Sequence, residues 1–211
     1  MIHAQPALSI RLSTLRLSHG QAMRVIADTR LMESISSTAL DAMIKKLRRE
    51  GVPFGADELV KDTYAEMGYG YVHLIELAVA MKMQSDGLAF RHVVSLLTTH
   101  RSVLRGFYRD AMLEASTGRG TVRILQNPSP RNGETKNTAL SGLYLDFRAV
   151  NSNGILGSLG PELLGPWQAL ERQMGSYDGL YPYPLIMLSQ ICERVLRIAE
   201  ATPLVKRGRK A

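Results

Sequence analysis

Residues 36–51 read SSTALDAMIKKLRREG, and the reading of this stretch decides the fold of the first half of the chain. Leu40, Met43, Ile44 and Leu47 recur at i, i+3, i+4 and i+7, the spacing that gathers side chains on one side of a helix. Thr38, Ala42, Lys45 and Arg49 then fall opposite, with Asp41, Lys46 and Arg48 flanking that outer face. Ser36 or Ser37 can cap the first turn, and the basic cluster 45–49 lies near the negative end of the helix dipole. Gly51 followed by Pro53 ends the helix. In most soluble proteins a helix with a basic face is simply solvated, so the neighbouring segments have to decide what this one is for.

With 211 residues the chain can bury a core of one large domain or two small ones, and two is the expectation. Lys and Arg number 26 against 19 Asp and Glu, and the resulting net charge of +7 favours an anionic partner: nucleic acid, acidic protein or anionic lipid. A lone cysteine, Cys192, excludes an internal disulfide, and no Cys/His cluster has zinc spacing, so no structural metal is expected. No apolar run reaches the ~18 residues of a membrane span, and residues 1–18 lack the apolar centre of a signal peptide. A cytoplasmic location, away from the membrane, is the expectation.

Read in order, residues 8–12 alternate as a short strand, and Ser18 with Gln21 forms a capping box for a helix over about 19–29 with Ala22, Val25 and Ile26 inward. A brief connection through Leu31, Met32 and Ile35 leads to the basic helix, an arrangement compatible with a helix-turn-helix. Residues 52–71 mix Pro, Gly and acidic residues and are expected to form a loop or small β-excursion, with a helical turn near 58–61. A helix over 72–83 should face inward through Val72, Ile75, Ala78, Val79 and Met83. The break at 84–87 separates it from helical spacing over 88–97, and a longer helix over 101–114 carries Val103, Leu104, Phe107, Ala111 and Met112. Residues 116–120 are the expected domain boundary. Beyond it, 121–126 and 143–150 read as strands with an exposed loop between them, Pro161 opens a helix with Leu163, Leu164, Trp167 and Leu170, and a final helix spans 185–201. The fold class expected is therefore mainly α (α+β): a helix-turn-helix-like domain over 1–115, a smaller α+β domain over 121–203 for dimerisation or effector binding, and a basic tail over 204–211.

The ordered units from about 15 to 97 resemble the DNA-binding domain of MerR-type transcription regulators. The likeness rests on Ile35-Ser36-Ser37-Thr38-Ala39-Leu40 with Gly51-Val52, and on Gly87-Leu88-Ala89-Phe90-Arg91-His92-Val93. It implies a winged helix-turn-helix in which the helix 37–50 reads DNA, a wing follows, and two helices and a dimerising helix come next. The arginine and tyrosine that the family pattern places after the leucine are Asp41 and Met43 here, and the wing offers only Lys61.

Independently of that likeness, a helix in the major groove could bring Thr38 and Lys45 to base edges or phosphates, with Ser37, Lys46, Arg48 and Arg49 beside them. Double-stranded DNA and a second copy of the chain are the expected partners, the copies meeting through the helix 101–114 or the C-terminal domain. Arg131, Lys136, Lys206, Arg207, Arg209 and Lys210 add charge that would strengthen attachment to phosphates. The alternative is an interaction or scaffold protein whose basic surfaces bind an acidic protein. Enzyme signatures are absent, no catalytic residue is assigned and no cofactor is expected: there is no phosphate-binding glycine loop, HExxH or GxSxG, and Gly68-Tyr69-Gly70 lacks a third glycine. His73 or His92 beside Glu76 or Asp86 could be drawn into a site, but core or surface roles are the simpler reading. Trp167, Tyr177, Tyr181 and Tyr183 could line a pocket for a small-molecule effector, though a packing corner between the last two helices accounts for them as well.

Overall fold

The computed structural model describes residues 15–32, 35–56, 58, 68–117, 122–125, 137–140, 144–146, 161–165, 168–169 and 186–203. These residues are mainly helical: α1 (His19–Asp28), α2 (Ser37–Arg49), α3 (Tyr71–Ser85), α4 (Phe90–Thr99), α5 (Arg101–Thr117) and α6 (Leu188–Ala201), with the short strands β1 (Val122–Leu125), β2 (Asn137–Leu140), β3 (Tyr144–Asp146), β4 (Glu162–Leu164) and β5 (Ile186–Met187). The chain divides into two compact units, Met1–Thr99 with Arg194–Ala211, and His100–Glu193. The break thus falls before α5 rather than after it, and the last helix supplies residues to both units. None of the described helices is long and apolar enough to cross a membrane.

In the first unit, α1 begins at a complete capping box. The Ser18 hydroxyl accepts from the Gln21 N–H, and the Gln21 side chain accepts from the Ser18 N–H at 2.8 Å. Ala22, Val25 and Ile26 are buried, as their spacing requires. The helix ends at Thr29, whose hydroxyl donates to the Ile26 carbonyl at 2.6 Å, and Arg30 turns the chain with a left-handed φ of 52°. α1 packs against both α2 and α3, and α3 packs against α4. Just ahead of α1, Leu17 exchanges two backbone hydrogen bonds with Tyr69, 3.0 and 2.8 Å long, which ties the entry to α1 to the entry to α3.

The helix expected to show one apolar face, α3, is buried nearly all round. Leu74, Leu77, Ala80 and Met81 are as fully enclosed as Ile75, Ala78, Val79 and Met83, while Val72 is half-buried. Its composition explains this: a helix with apolar residues on every side has to be surrounded by other elements. Glu76 is the single charged residue in the described core. Gly87, with φ 91°, turns the chain from α3 into α4, which buries Val93 and Leu97. The end of α6 belongs to this unit too. Arg194 donates to the Thr29 carbonyl at 3.4 Å, and the Gln21 side chain donates to the Pro203 carbonyl at 2.6 Å.

In the second unit, α5 buries Leu104, Tyr108 and Ala111 but leaves Val103 and Leu113 exposed, so its inner face is rotated from the one expected through Val103. β1 and β2 form an antiparallel hairpin, Val122 opposite Leu140 and Leu125 opposite Asn137, so part of the stretch expected to be loop is strand. Such a ladder is made by backbone groups and needs no alternation in the sequence. β3 lies between β4 and β5, antiparallel to both, with Leu145 paired to Leu163 and Ile186. Pro161 therefore leads into an edge strand, a position that tolerates proline, and not into a helix; Gln168 and Ala169 alone are described as helical there. The final helix starts at Leu188, because Ile186 and Met187 pair with β3. Cys192 is fully buried, its sulfur 3.9 Å from the Tyr108 carbonyl oxygen. The strand expected over 8–12 and the turn over 58–61 lie outside the described residues, apart from Glu58.

Leu47→Ala should destabilise the first unit by about 2–5 kcal/mol, since Leu47 is fully enclosed. Gly51→Ala should cost only about 1–2 kcal/mol: the added methyl would meet the Phe54 carbonyl at an ordinary 3.7 Å, and the penalty comes from the left-handed φ of 84° alone. Chemical denaturation of the two variants tests the order; an equal or larger loss for Gly51→Ala would contradict it.

Candidate nucleic-acid interface

The Ser36 hydroxyl accepts from the Ala39 N–H at 3.2 Å and starts α2. At the other end the Val52 N–H reaches the Leu47 carbonyl at 2.9 Å and the Gly51 N–H reaches that of Arg48 at 3.1 Å, a Schellman closure that the positive φ of Gly51 permits. Leu40, Ile44 and Leu47 point inward, each burial contributing about 1.5–3 kcal/mol. That leaves Ser37, Thr38, Ala42, Lys45, Lys46 and Arg49 exposed, with Asp41, Met43 and Arg48 half-buried along the margins.

One margin is fixed by a run of polar contacts that crosses three segments. Asp41 receives the Lys45 ammonium on Oδ2 at 2.7 Å and His19 Nε2 on Oδ1 at 2.7 Å. A carboxylate can only accept, so Nε2 carries the proton, and Nδ1 of that tautomer is placed to accept from the Tyr69 hydroxyl 3.2 Å away. The Arg48 guanidinium lies close enough to Tyr69 to favour its ionised form. The bond from Lys45, then that from His19, holds the Asp41 carboxyl below its ordinary range. Burial pushes the Tyr69 phenol up, opposed by Arg48.

The other margin meets α4. The Lys46 ammonium sits 4.0 Å from the centroid of the Phe90 ring, and Thr98 approaches Gly51. Arg91 and His92, next along α4, are exposed. Beyond α2 the chain is plugged down by Phe54, 1% exposed, whose ring packs on Tyr69 and His73 with centroids 5.0 and 4.6 Å apart. His73 accepts from the Gly70 N–H at 3.0 Å through Nδ1, so its Nε2 donates to Glu58 at 3.0 Å, while the second Glu58 oxygen accepts from the Gly55 N–H at 2.8 Å. The histidine thus joins the segment after α2 to the start of α3 through Glu58. Gly68 is needed beside Arg16, because a Cβ there would lie 2.9 Å from the arginine side chain.

Of the residues singled out in the sequence, Ser37, Thr38, Lys45, Lys46 and Arg49 share the outer side of α2, and Arg48 turns toward Tyr69. Lys61, Trp167, Tyr177, Tyr181 and Tyr183 lie outside the described residues. The sequence reading missed His19, Tyr69 and Phe90. The Asp41–Lys45 pair was visible as an i, i+4 spacing, whereas nothing local signals contacts across 22 and 50 residues. Among the described residues, no cluster of three or more His, Cys, Asp or Glu could hold a metal ion.

Because its carboxyl is held below the ordinary value of 3.8, Asp41 adds stability that is fully present above that pH and is lost as pH falls through its lower folded value. Asp41→Asn should therefore lower the melting temperature slightly at pH 7, and the gap should begin to narrow as pH falls below about 3.8 and close only below the lower folded value. A gap independent of pH would contradict the assignment. No protein-family model matches the chain, and neither a curated protein nor a solved structure matches it.

Proposed function

We propose that the chain is a sequence-specific DNA-binding transcriptional regulator that reads the major groove with α2, acts in the cytoplasm and works as a homodimer. The observation that carries this reading is the outer side of α2: a capped, thirteen-residue helix held by three buried side chains, with Ser37, Thr38, Lys45, Lys46 and Arg49 all open to solvent. Thr38 and Lys45 are the residues assigned to base edges or phosphates, and Ser37, Lys46, Arg48 and Arg49 stand beside them. Lys61 is assigned to a wing of a winged helix-turn-helix. The net charge of +7 agrees with a polyanionic partner. The last described residue, Pro203, is bonded to α1, so the basic residues Lys206, Arg207, Arg209 and Lys210 follow from a point anchored in the same unit as α2. The resemblance to MerR-type regulators points the same way. No observation of the structure favours the acidic-protein alternative over DNA.

Replacing Lys45 and Arg49 together by Ala should abolish specific retardation of duplex DNA and leave the melting temperature close to that of the parent, since both side chains are exposed and alanine is a good helix former. Gel retardation at several salt concentrations reads the outcome, because phosphate contacts impose a steep salt slope. A double variant that melts normally and binds with the parent's affinity and slope would remove α2 from the interface, and the acidic-protein reading would take its place.

Pairing of two copies is supported by α5, which exposes Val103 at 48% and Leu113 at 64%, the large apolar side chains left open among the described residues. Palindromic sites match two-fold proteins. Light scattering should give twice the 23.3 kDa chain mass at micromolar concentration; a monomer both free and on DNA would contradict the dimer.

A further inference from the structure

We infer that Asp41 restrains the DNA-binding face of α2 by withholding Lys45 from phosphates, which damps attachment to DNA of arbitrary sequence. The inference rests on the DNA-binding reading above and deepens it. Of the cations along α2, Lys45 occupies the middle of the exposed side, yet its ammonium lies 2.7 Å from Asp41 Oδ2. An i, i+4 pair on a helix surface ordinarily exchanges freely with solvent. This one differs in that its acid is itself fixed: Asp41 Oδ1 is held at 2.7 Å by His19, a residue of α1, and His19 is steadied from its other nitrogen by Tyr69. The carboxylate is therefore prevented from swinging away when a phosphate approaches. It presents a fixed negative charge on a face that otherwise attracts polyanions.

The chemistry of this arrangement is competitive. A phosphate oxygen that reaches one of the remaining Lys45 N–H donors must share the ammonium with Asp41, whose fixed negative charge offsets the attraction and repels the DNA backbone. Both effects fall on the sequence-independent part of binding, which is built from phosphate neutralisation. An uncharged base edge can take a second ammonium N–H while Asp41 keeps another and meets no such charge repulsion, so a restrained cation raises the ratio of specific to random binding. Arg49, exposed at the end of the helix, and Lys46, resting on Phe90, have no comparable carboxylate partner fixed from a second helix among the described contacts.

The test uses the full chain and a mixed-sequence duplex, with binding measured by fluorescence anisotropy between 0.05 and about 0.3 M monovalent salt. Asp41→Asn keeps an oxygen that can accept from His19 and, with that oxygen so engaged, turns an uncharged NH2 group, which cannot accept, toward Lys45. Freeing one cation should steepen the slope of log K against log salt by about 0.9, which corresponds to about eightfold tighter binding at 0.1 M. The gain should vanish when Lys45→Ala is added, in a cycle of the two single variants and the double variant. If the parent binds and Asp41→Asn binds no tighter, the restraint does not exist. If the gain survives the loss of Lys45, it comes from the change in net charge alone and the inference is overturned, while the DNA-binding reading stands. If neither the parent nor Asp41→Asn binds duplex DNA even at the lowest salt, the DNA-binding reading falls and takes the inference with it.

Discussion

Burial of Leu40, Ile44 and Leu47 is the interaction on which the organisation of the first unit depends. These three side chains share one side of α2, and enclosing them forces every other position of the helix outward or to its margins. The orientation of Thr38, Lys45 and Arg49 follows from that constraint and needs no contact of their own. Leu40 sits with Ile26 of α1 and Met81 of α3 around a small apolar hollow, so the helix is referred directly to the core. The core in turn is α3, which is apolar on all sides and has α1 and α4 packed against it. A helix held this way presents its polar groups from a rigid base, which is what recognition of a fixed ligand geometry requires.

Directional contacts then fix what apolar burial leaves loose. Hydrophobic packing sets which side of α2 faces inward but tolerates small rotations and slides. The His19–Asp41 bond on one margin and the Lys46–Phe90 contact on the other limit those motions, because each joins α2 to a different segment. The Gly51 turn and the buried Val52 and Phe54 fix where the chain goes next. Two backbone bonds between Leu17 and Tyr69 then close the layer, so Tyr69 serves the backbone, the aromatic packing and the polar margin at once.

Much of the first unit is legible in the sequence because its signals are local. Ser18 with Gln21, Ser36, Gly51 and Gly87 mark helix ends through hydrogen bonds or backbone conformations settled within a few residues. The periodicity of 40, 43, 44 and 47 identifies the inner side of α2, with Met43 only half-buried. What escaped was long-range or short. The closeness of His19 to Tyr69 and of Arg194 to Thr29 is created by the tertiary fold, and residues so distant along the chain carry no mark of it. Strands of two to four residues, such as β2, β4 and β5, are too brief for alternation to distinguish them from loop or helix. The inner side of α5 was misjudged for a related reason: Val103 and Tyr108 both fit an apolar helix face, and only packing decides that Tyr108 is enclosed while Val103 is not.

The most direct test of the account is a titration of isotope-labelled chain with duplex DNA, followed by amide and side-chain NMR shifts. The account predicts that the largest changes fall on Ser37, Thr38, Lys45, Lys46 and Arg49 and their near neighbours, weaken with added salt, and leave the enclosed residues of α3 unmoved. Shifts confined to α5 or the strands, or no shifts at low salt, would contradict the claim that α2 is the DNA-reading element.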